Sequence, residues 1–320
     1  MQKFTHALYP LKKPLKKGYL KVSKKHSLYY AIYGNPKGCP VIVLHGGPGA
    51  GTSEFISKFF NLKDYFVVTF DQRGSLRSKP FASMEENTPQ HSIEDIEKLR
   101  VELKIDKWLV FGGSWGSTLG LLYGQAHPER CLGFILRGVF LARKDDHLQV
   151  LYGAGKVYPE EFEELKKCIP ENEHDDLFKA FRKRILNPDP KISLPHAKKF
   201  IRFNAFIATN SPDPKLIEER LKNRKLTLGM AKAFLYYQAH KFFLKPNQIL
   251  LNMDKIQHLP CIIVHGRHDV ICIPEAAFLL HKHWKKSKLW MIDNGGHADS
   301  DPHIAQALAL ATTKMKLTTR

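Results

Sequence analysis

The sequence predicts an α/β fold: a mostly parallel central sheet with helices on both faces, and a helical insertion ahead of its last strands. Three observations carry this expectation. Short runs of unbroken apolar residues recur through the first and last thirds of the chain, the pattern of strands buried on both faces. Stretches of helical period alternate with them, an arrangement that makes the strands parallel. Residues 141–251 carry no strand pattern and read as amphipathic helices, broken at Asn187-Pro188-Asp189-Pro190 and Ser211-Pro212-Asp213-Pro214.

Taken in order, Tyr19-Leu20-Lys21-Val22 and Ser27-Leu28-Tyr29-Tyr30-Ala31-Ile32 flank the polar Lys24-Lys25-His26 and predict an antiparallel pair. Val41-Ile42-Val43-Leu44 predicts the first fully buried strand. Phe66-Val67-Val68-Thr69-Phe70, Trp108-Leu109-Val110-Phe111 and Leu132-Gly133-Phe134-Ile135-Leu136 repeat it. Helices are expected over residues 92–103, with Ser92 as N-cap and Glu94 and Asp95 in the first turn, and over residues 115–127. Near the end, Cys261-Ile262-Ile263-Val264 predicts a strand, residues 274–283 a helix, residues 288–292 a strand and residues 302–315 a last helix. The expected organisation is a core of residues 1–140 and 252–320. Residues 141–251 form a helical cap over the C-terminal strand ends, where open α/β sheets bind ligands.

The 320 residues suffice for one large domain with such a lid. No apolar run approaches the roughly 20 residues that span a bilayer. Residues 1–25 alternate apolar and basic types without the apolar stretch of a secretory signal, so a cytoplasmic location is expected. The five cysteines are scattered and odd in number, which argues against a disulfide framework and offers no paired metal-ligand spacing. Cys272, three residues after Asp269, reads as a packed thiol. Lys and Arg total 50 against 31 Asp and Glu, a net charge of +19. These basic residues are spread along the chain outside any nucleic-acid motif with interleaved aromatics, so they read as a solvated surface. Oligomeric state leaves no mark in the sequence.

The chemistry is concentrated in three loops. Gly112-Gly113-Ser114-Trp115-Gly116 matches G-x-S-x-G between a predicted strand and a predicted helix, the context of a strained nucleophile elbow whose glycines avoid Cβ clashes. Asp269 follows the strand ending in Val264-His265-Gly266, and His297 follows the next strand within Asn294-Gly295-Gly296-His297. The order Ser, Asp, His is the one that the α/β-hydrolase fold uses. A serine hydroxyl is a weak nucleophile at neutral pH, so the expected roles are Ser114 as nucleophile, His297 as general base, and Asp269 as the acid orienting the imidazole. His265 and His268 also lie near Asp269; the first belongs to the strand end and the second to a loop, and both are read as structural. Leu44-His45-Gly46-Gly47-Pro48-Gly49 follows a buried strand and offers bare N–H groups. One of them, from Gly46 or Gly47, would join the N–H of Trp115 in an oxyanion hole. The loop lacks the Lys-Ser/Thr of a P-loop, so a phosphate cradle is not expected.

These residues resemble the proline iminopeptidases of the α/β-hydrolase superfamily. The match runs through His45-Gly46-Gly47-Pro48-Gly49, Asp71-Gln72-Arg73-Gly74, Gly112-Gly113-Ser114-Trp115-Gly116-Ser117, Leu136-Arg137-Gly138-Val139-Phe140-Leu141 and the loops of Asp269 and His297, and covers nearly the whole chain. The resemblance implies an enzyme without metal or cofactor that releases N-terminal proline from short peptides, with Phe140 at a position of the pocket for the proline ring. It also marks departures. Where the family's cap has a Trp-Glu pair binding the substrate ammonium, this chain has Phe203-Asn204; where a second cap glutamate is expected, it has Gln238. Two charge-assisted hydrogen bonds lost in this way would weaken ammonium recognition by roughly 3–5 kcal/mol. Ser75-Leu76, after Asp71-Gln72-Arg73-Gly74, stands where the family often has another glycine. Three readings follow: release of N-terminal proline through an acyl-enzyme on Ser114, an esterase or amidase of altered specificity acting on a small ester or amide, and a non-catalytic binding protein on the same scaffold.

Overall fold

The computed structural model describes residues 4–316; residues 1–3 and 317–320, assigned above to the core, lie outside the described residues. Eight strands form one sheet: β1 (Lys16–Lys21), β2 (Ser27–Gly34), β3 (Cys39–Leu44), β4 (Tyr65–Phe70), β5 (Trp108–Gly113), β6 (Cys131–Arg137), β7 (Cys261–Gly266) and β8 (Ser287–Ile292). Their order is β1-β2-β4-β3-β5-β6-β7-β8. β2 is antiparallel to both its neighbours, with Tyr19 opposite Tyr29, and every pair from β4 to β8 is parallel.

The unbroken apolar runs have a direct structural reason. Successive side chains of a strand point to opposite faces. Ile42, Val110 and Leu136 therefore enter one core, while Val41, Leu109 and Ile135 enter another across the sheet. The first core is closed by α1 (Pro89–Glu102) and α2 (Trp115–Ala126) through Ile96, Leu99 and Leu119. The second is closed by the C-terminal helix Pro302–Lys316 through Ile304, Leu308 and Ala311. Burying each large apolar side chain of this kind contributes about 1.5–3 kcal/mol.

One boundary differs from expectation. α1 starts at Pro89, and its N-cap is Thr88, whose hydroxyl accepts the His91 N–H, not Ser92. Proline at the first helical position fixes φ at a helical value without sacrificing an internal hydrogen bond, so the helix begins a turn earlier. Ser92 is then buried inside it, and Asp95 is turned inward instead of sitting in the first turn.

Between β6 and β7 the chain is helical. After a short helical stretch from Lys144 to Val157 come α3 (Pro159–Lys166), α4 (Leu177–Ile185), α5 (Pro190–Ile207), α6 (Pro214–Leu221) and α7 (Arg224–Ala239). Asp189 and Asp213 cap α5 and α6, each followed by a proline at the helix start, so both Asn/Ser-Pro-Asp-Pro breaks are helix boundaries. Phe200 on α5 bridges Phe181 of α4 (5.4 Å between ring centroids) and Phe234 of α7 (5.8 Å). The α7 residue Tyr237 packs edge-on against Trp115 at 4.9 Å, and its hydroxyl donates to Asn87 Oδ1 (2.9 Å), tying these helices to the sheet layer.

Candidate active site

Ser114 occupies the turn from β5 into α2 with φ 56° and ψ −127°. A non-glycine residue there costs about 1–3 kcal/mol, so the surroundings must hold it. The Ser114 N–H donates to the Arg137 carbonyl on β6 (2.9 Å), and the Ser114 carbonyl accepts from the Ser117 N–H (2.8 Å) and hydroxyl (2.7 Å). α2 also passes so close to β3 that a Cβ on Gly116 would lie 2.0 Å from the Leu44 carbonyl oxygen. That approach explains the second glycine of the elbow.

Asp269 and His297 come together from the loops after β7 and β8. His297 Nδ1 and Asp269 Oδ2 are 2.7 Å apart, and Asp269 is 2% exposed. The other carboxylate oxygen accepts the N–H groups of Ile271 (3.0 Å) and Cys272 (2.8 Å). Burial opposes ionisation of Asp269. The adjacent His297 and His265 and the Cys272 N–H outweigh it and hold the carboxyl below its usual range. Beneath the pair runs Gly138, with φ 52°; a Cβ there would stand 3.1 Å from His297 Cε1 and 3.4 Å from Asp269 Oδ2. An anionic acceptor on Nδ1 fixes the tautomer that leaves Nε2 free to take a proton.

The rival histidines are otherwise engaged. His265 is fully buried; its Nδ1 accepts the Val139 N–H (3.1 Å), so its Nε2 donates to the Cys272 carbonyl (2.7 Å). Burial lowers its pKa and keeps it neutral, with Asp269 opposing. His268 is exposed, and its backbone N–H donates to the Gly295 carbonyl (3.0 Å). Cys272 is buried beside Ser114, and burial pushes its thiol well up, with Arg137 and the Ser114 hydroxyl opposing.

Gly46 passes over the elbow: a Cβ on it would lie 3.7 Å from Ser114 Oγ. Trp115 is the first residue of α2, so its N–H has no acceptor within the helix. Sequence reading leaves Asp71-Gln72-Arg73-Gly74 as a mere match; the structure gives its side chains tasks. Gln72 clamps the glycine loop to the elbow: its N–H donates to His45 Nε2 (3.0 Å), its side-chain amide donates to the His45 carbonyl (2.9 Å), and its Oε1 accepts the Trp115 indole N–H (2.9 Å). Asp71 accepts from the Thr52 N–H (2.8 Å) and Arg77 Nε (2.7 Å), fixing the far end of the same loop. Arg73 pairs with the inward-turned Asp95 through two hydrogen bonds of 2.7 and 2.8 Å. Leu76, in the place of the expected glycine, takes φ 32°.

Ser114, His297, Gly46 and Gly47 line one cavity of about 580 Å³. Among the described residues the Ser114 hydroxyl makes no direct hydrogen bond to the His297 ring; nucleophile–base contacts are commonly long until substrate binds. Of the residues singled out for substrate, Phe140 and Asn204 line the cavity, and the Asn204 amide donates to the Phe200 carbonyl (2.8 Å). Phe203 does not. It is buried off the cavity-facing stripe of α5, with its ring 6.1 Å from Phe162. Gln238 is not in the cavity wall either: it continues the Leu226, Met230, Phe234 stripe of α7 one turn beyond, and its Oε1 is buried without a partner among the described residues.

The chain is similar to known proteins over nearly its whole length. Residues 40–303 match the alpha/beta hydrolase fold family. The proline iminopeptidase of Arabidopsis thaliana is 42% identical over 313 residues, 97% of this chain and 82% of that one. The probable proline iminopeptidase of Leptolyngbya boryana is 40% identical, covering 96% of each chain. That of Neisseria meningitidis serogroup A is 39% identical over 95% of this chain and 97% of its own. Among solved structures, a proline iminopeptidase-related protein from Thermus thermophilus superposes with a TM-score of 0.60 at 18% identity, over 95% of this chain and 97% of that one. Bromoperoxidase from Bacillus anthracis does so with 0.66 at 19%, over 94% and 99%. At such identities the likeness is one of fold.

Proposed function

Because the chain belongs to the alpha/beta hydrolase fold family and, within it, to the proline iminopeptidases, we propose that the cavity over Ser114 is where it removes N-terminal proline from peptides. The protein is a serine hydrolase, a prolyl aminopeptidase acting on small peptides. Ser114 attacks the prolyl carbonyl while His297 takes its proton, and Asp269 stabilises the imidazolium. The carbonyl oxygen becomes negative beside N–H groups of Gly46 or Gly47 and of Trp115. His297 then gives its proton to the leaving amine, and water releases proline from the acyl-enzyme by the same steps. Phe140 forms the apolar wall against the proline ring, and Asn204 offers its amide oxygen to the substrate ammonium. Phe203 supports the cap from behind through its packing on Phe162, and Gln238 lies outside the cavity wall. Residues 141–251 act as the cap, residues 1–140 and 252–320 as the core, and the working location is the cytoplasm. No described helix is long and apolar enough to cross a membrane.

The observation that carries this mechanism is the 2.7 Å contact between His297 and Asp269 above an elbow serine in the same cavity wall. The relatives above are all named for proline release, which disfavours the altered-specificity reading. The test compares a proline anilide with its N-acetylated form. Turnover of the free secondary amine alone, abolished by Ser114→Ala with the thermal transition retained, is expected; retained activity in that variant would remove Ser114 from the chemistry.

A further inference from the structure

Arg137, the last residue of β6, is a cation placed next to the chemistry with no counter-ion among the described residues. Its Nη1 donates to the His297 backbone carbonyl. Its guanidinium lies flat across Gly113, where an added Cβ would be 2.5 Å from Nη2, and it lines the cavity while only partly buried. The nearby carboxylate of Asp269 is held by His297 and by the backbone N–H groups of Ile271 and Cys272 instead. A guanidinium has five N–H donors in a planar fork suited to two carboxylate oxygens, and one carbonyl contact leaves most of them open. The cavity's other charged lining residues are Arg220 and Asp299, so two guanidinium groups face a single carboxylate.

The site itself says which substrate atoms come near. The leaving nitrogen must lie within reach of His297, which protonates it. In a dipeptide, the C-terminal carboxylate is one carbon away from that nitrogen. A cation bonded to the backbone of His297 is therefore beside the place where the carboxylate of a one-residue leaving group falls. We propose that Arg137 is a specificity-determining residue that captures the free C-terminal carboxylate of the leaving amino acid, so that the enzyme favours dipeptides with proline first. This rests on the aminopeptidase reading above.

The test measures kcat/KM for Pro-Ala, for Pro-Ala amide and for a proline anilide. The wild-type protein is expected to prefer the free acid over the amide by roughly tenfold or more, a comparison that needs no variant. Arg137→Gln should bring that ratio close to one, and Arg137→Lys, which keeps the charge without the fork, should restore part of it. A wild-type ratio near one overturns the proposal. So does a ratio that Arg137→Gln leaves unchanged while both rates fall together, which would make Arg137 a support for the His297 loop only. Cleavage of the amide and the anilide by the wild-type protein in those cases leaves the aminopeptidase reading standing. Failure to cleave any of the three overturns both.

Discussion

At Asp269 several weak influences add up to one protonation state. The buried carboxylate is ionised because two backbone N–H groups and the His297 ring replace the water it has lost. Asp269→Asn keeps the shape and removes the charge. Its amide can donate to His297 Nδ1, which then presents its proton on the wrong nitrogen. The expected loss in kcat is about 10⁴-fold, with KM changed far less, as steady-state kinetics on the proline anilide would show. Gly138 makes a complementary prediction. Alanine there must adopt φ 52° and push against a ring atom 3.1 Å away. Gly138→Ala should cost about 1–2 kcal/mol of stability, read by urea unfolding, and lower kcat/KM roughly tenfold or more through displacement of His297.

The elements were legible where the sequence states its surroundings locally. β3 and β5 are buried on both faces, so every residue of Val41-Ile42-Val43-Leu44 and Trp108-Leu109-Val110-Phe111 is apolar, and the strands announce themselves. The candidate triad was legible because each member lies in a short loop or turn after a predicted strand, Ser114 directly after β5, Asp269 three residues after β7 and His297 five after β8. Less legible was whatever depends on tertiary partners. Ser92 has the right type for an N-cap, but Thr88 with Pro89 outcompetes it, and Asp95 is drawn inward by Arg73, 22 residues earlier in the chain. Phe203 and Asn204 are adjacent in sequence, yet the helical rotation between neighbours on α5 separates what they touch: Asn204 lies on the stripe with Phe200 and Ile201, and Phe203 faces α3. Gln72 and Arg137 carry no local signal of their roles, because their partners at His45, Trp115 and His297 are distant in the chain.

For the molecule as a whole, charge sets the acid limit. Asp269 has a folded-state pKa below its usual value near 3.9. The stability it contributes is therefore fully present above that value and is lost as pH falls through the lower, folded one. Protonating the remaining carboxylates also drives a net charge of +19 still higher and increases self-repulsion. Urea midpoints should fall as pH drops below about 4, and moderate salt, which screens the repulsion between surface charges, should recover part of the loss. A midpoint independent of pH down to about 3 would contradict the account.

Trp115 serves two masters. Its backbone N–H, without an acceptor inside the helix, belongs to the oxyanion hole proposed above, while its ring is wedged between Gln72 and Tyr237. A roof that lifted far enough to pull Tyr237 away would loosen the very residue on which the reaction leans. Entry of a peptide and readiness to cut it would then be mutually exclusive states of one hinge: the enzyme would idle with its door ajar and regain its grip on the oxyanion only on closing.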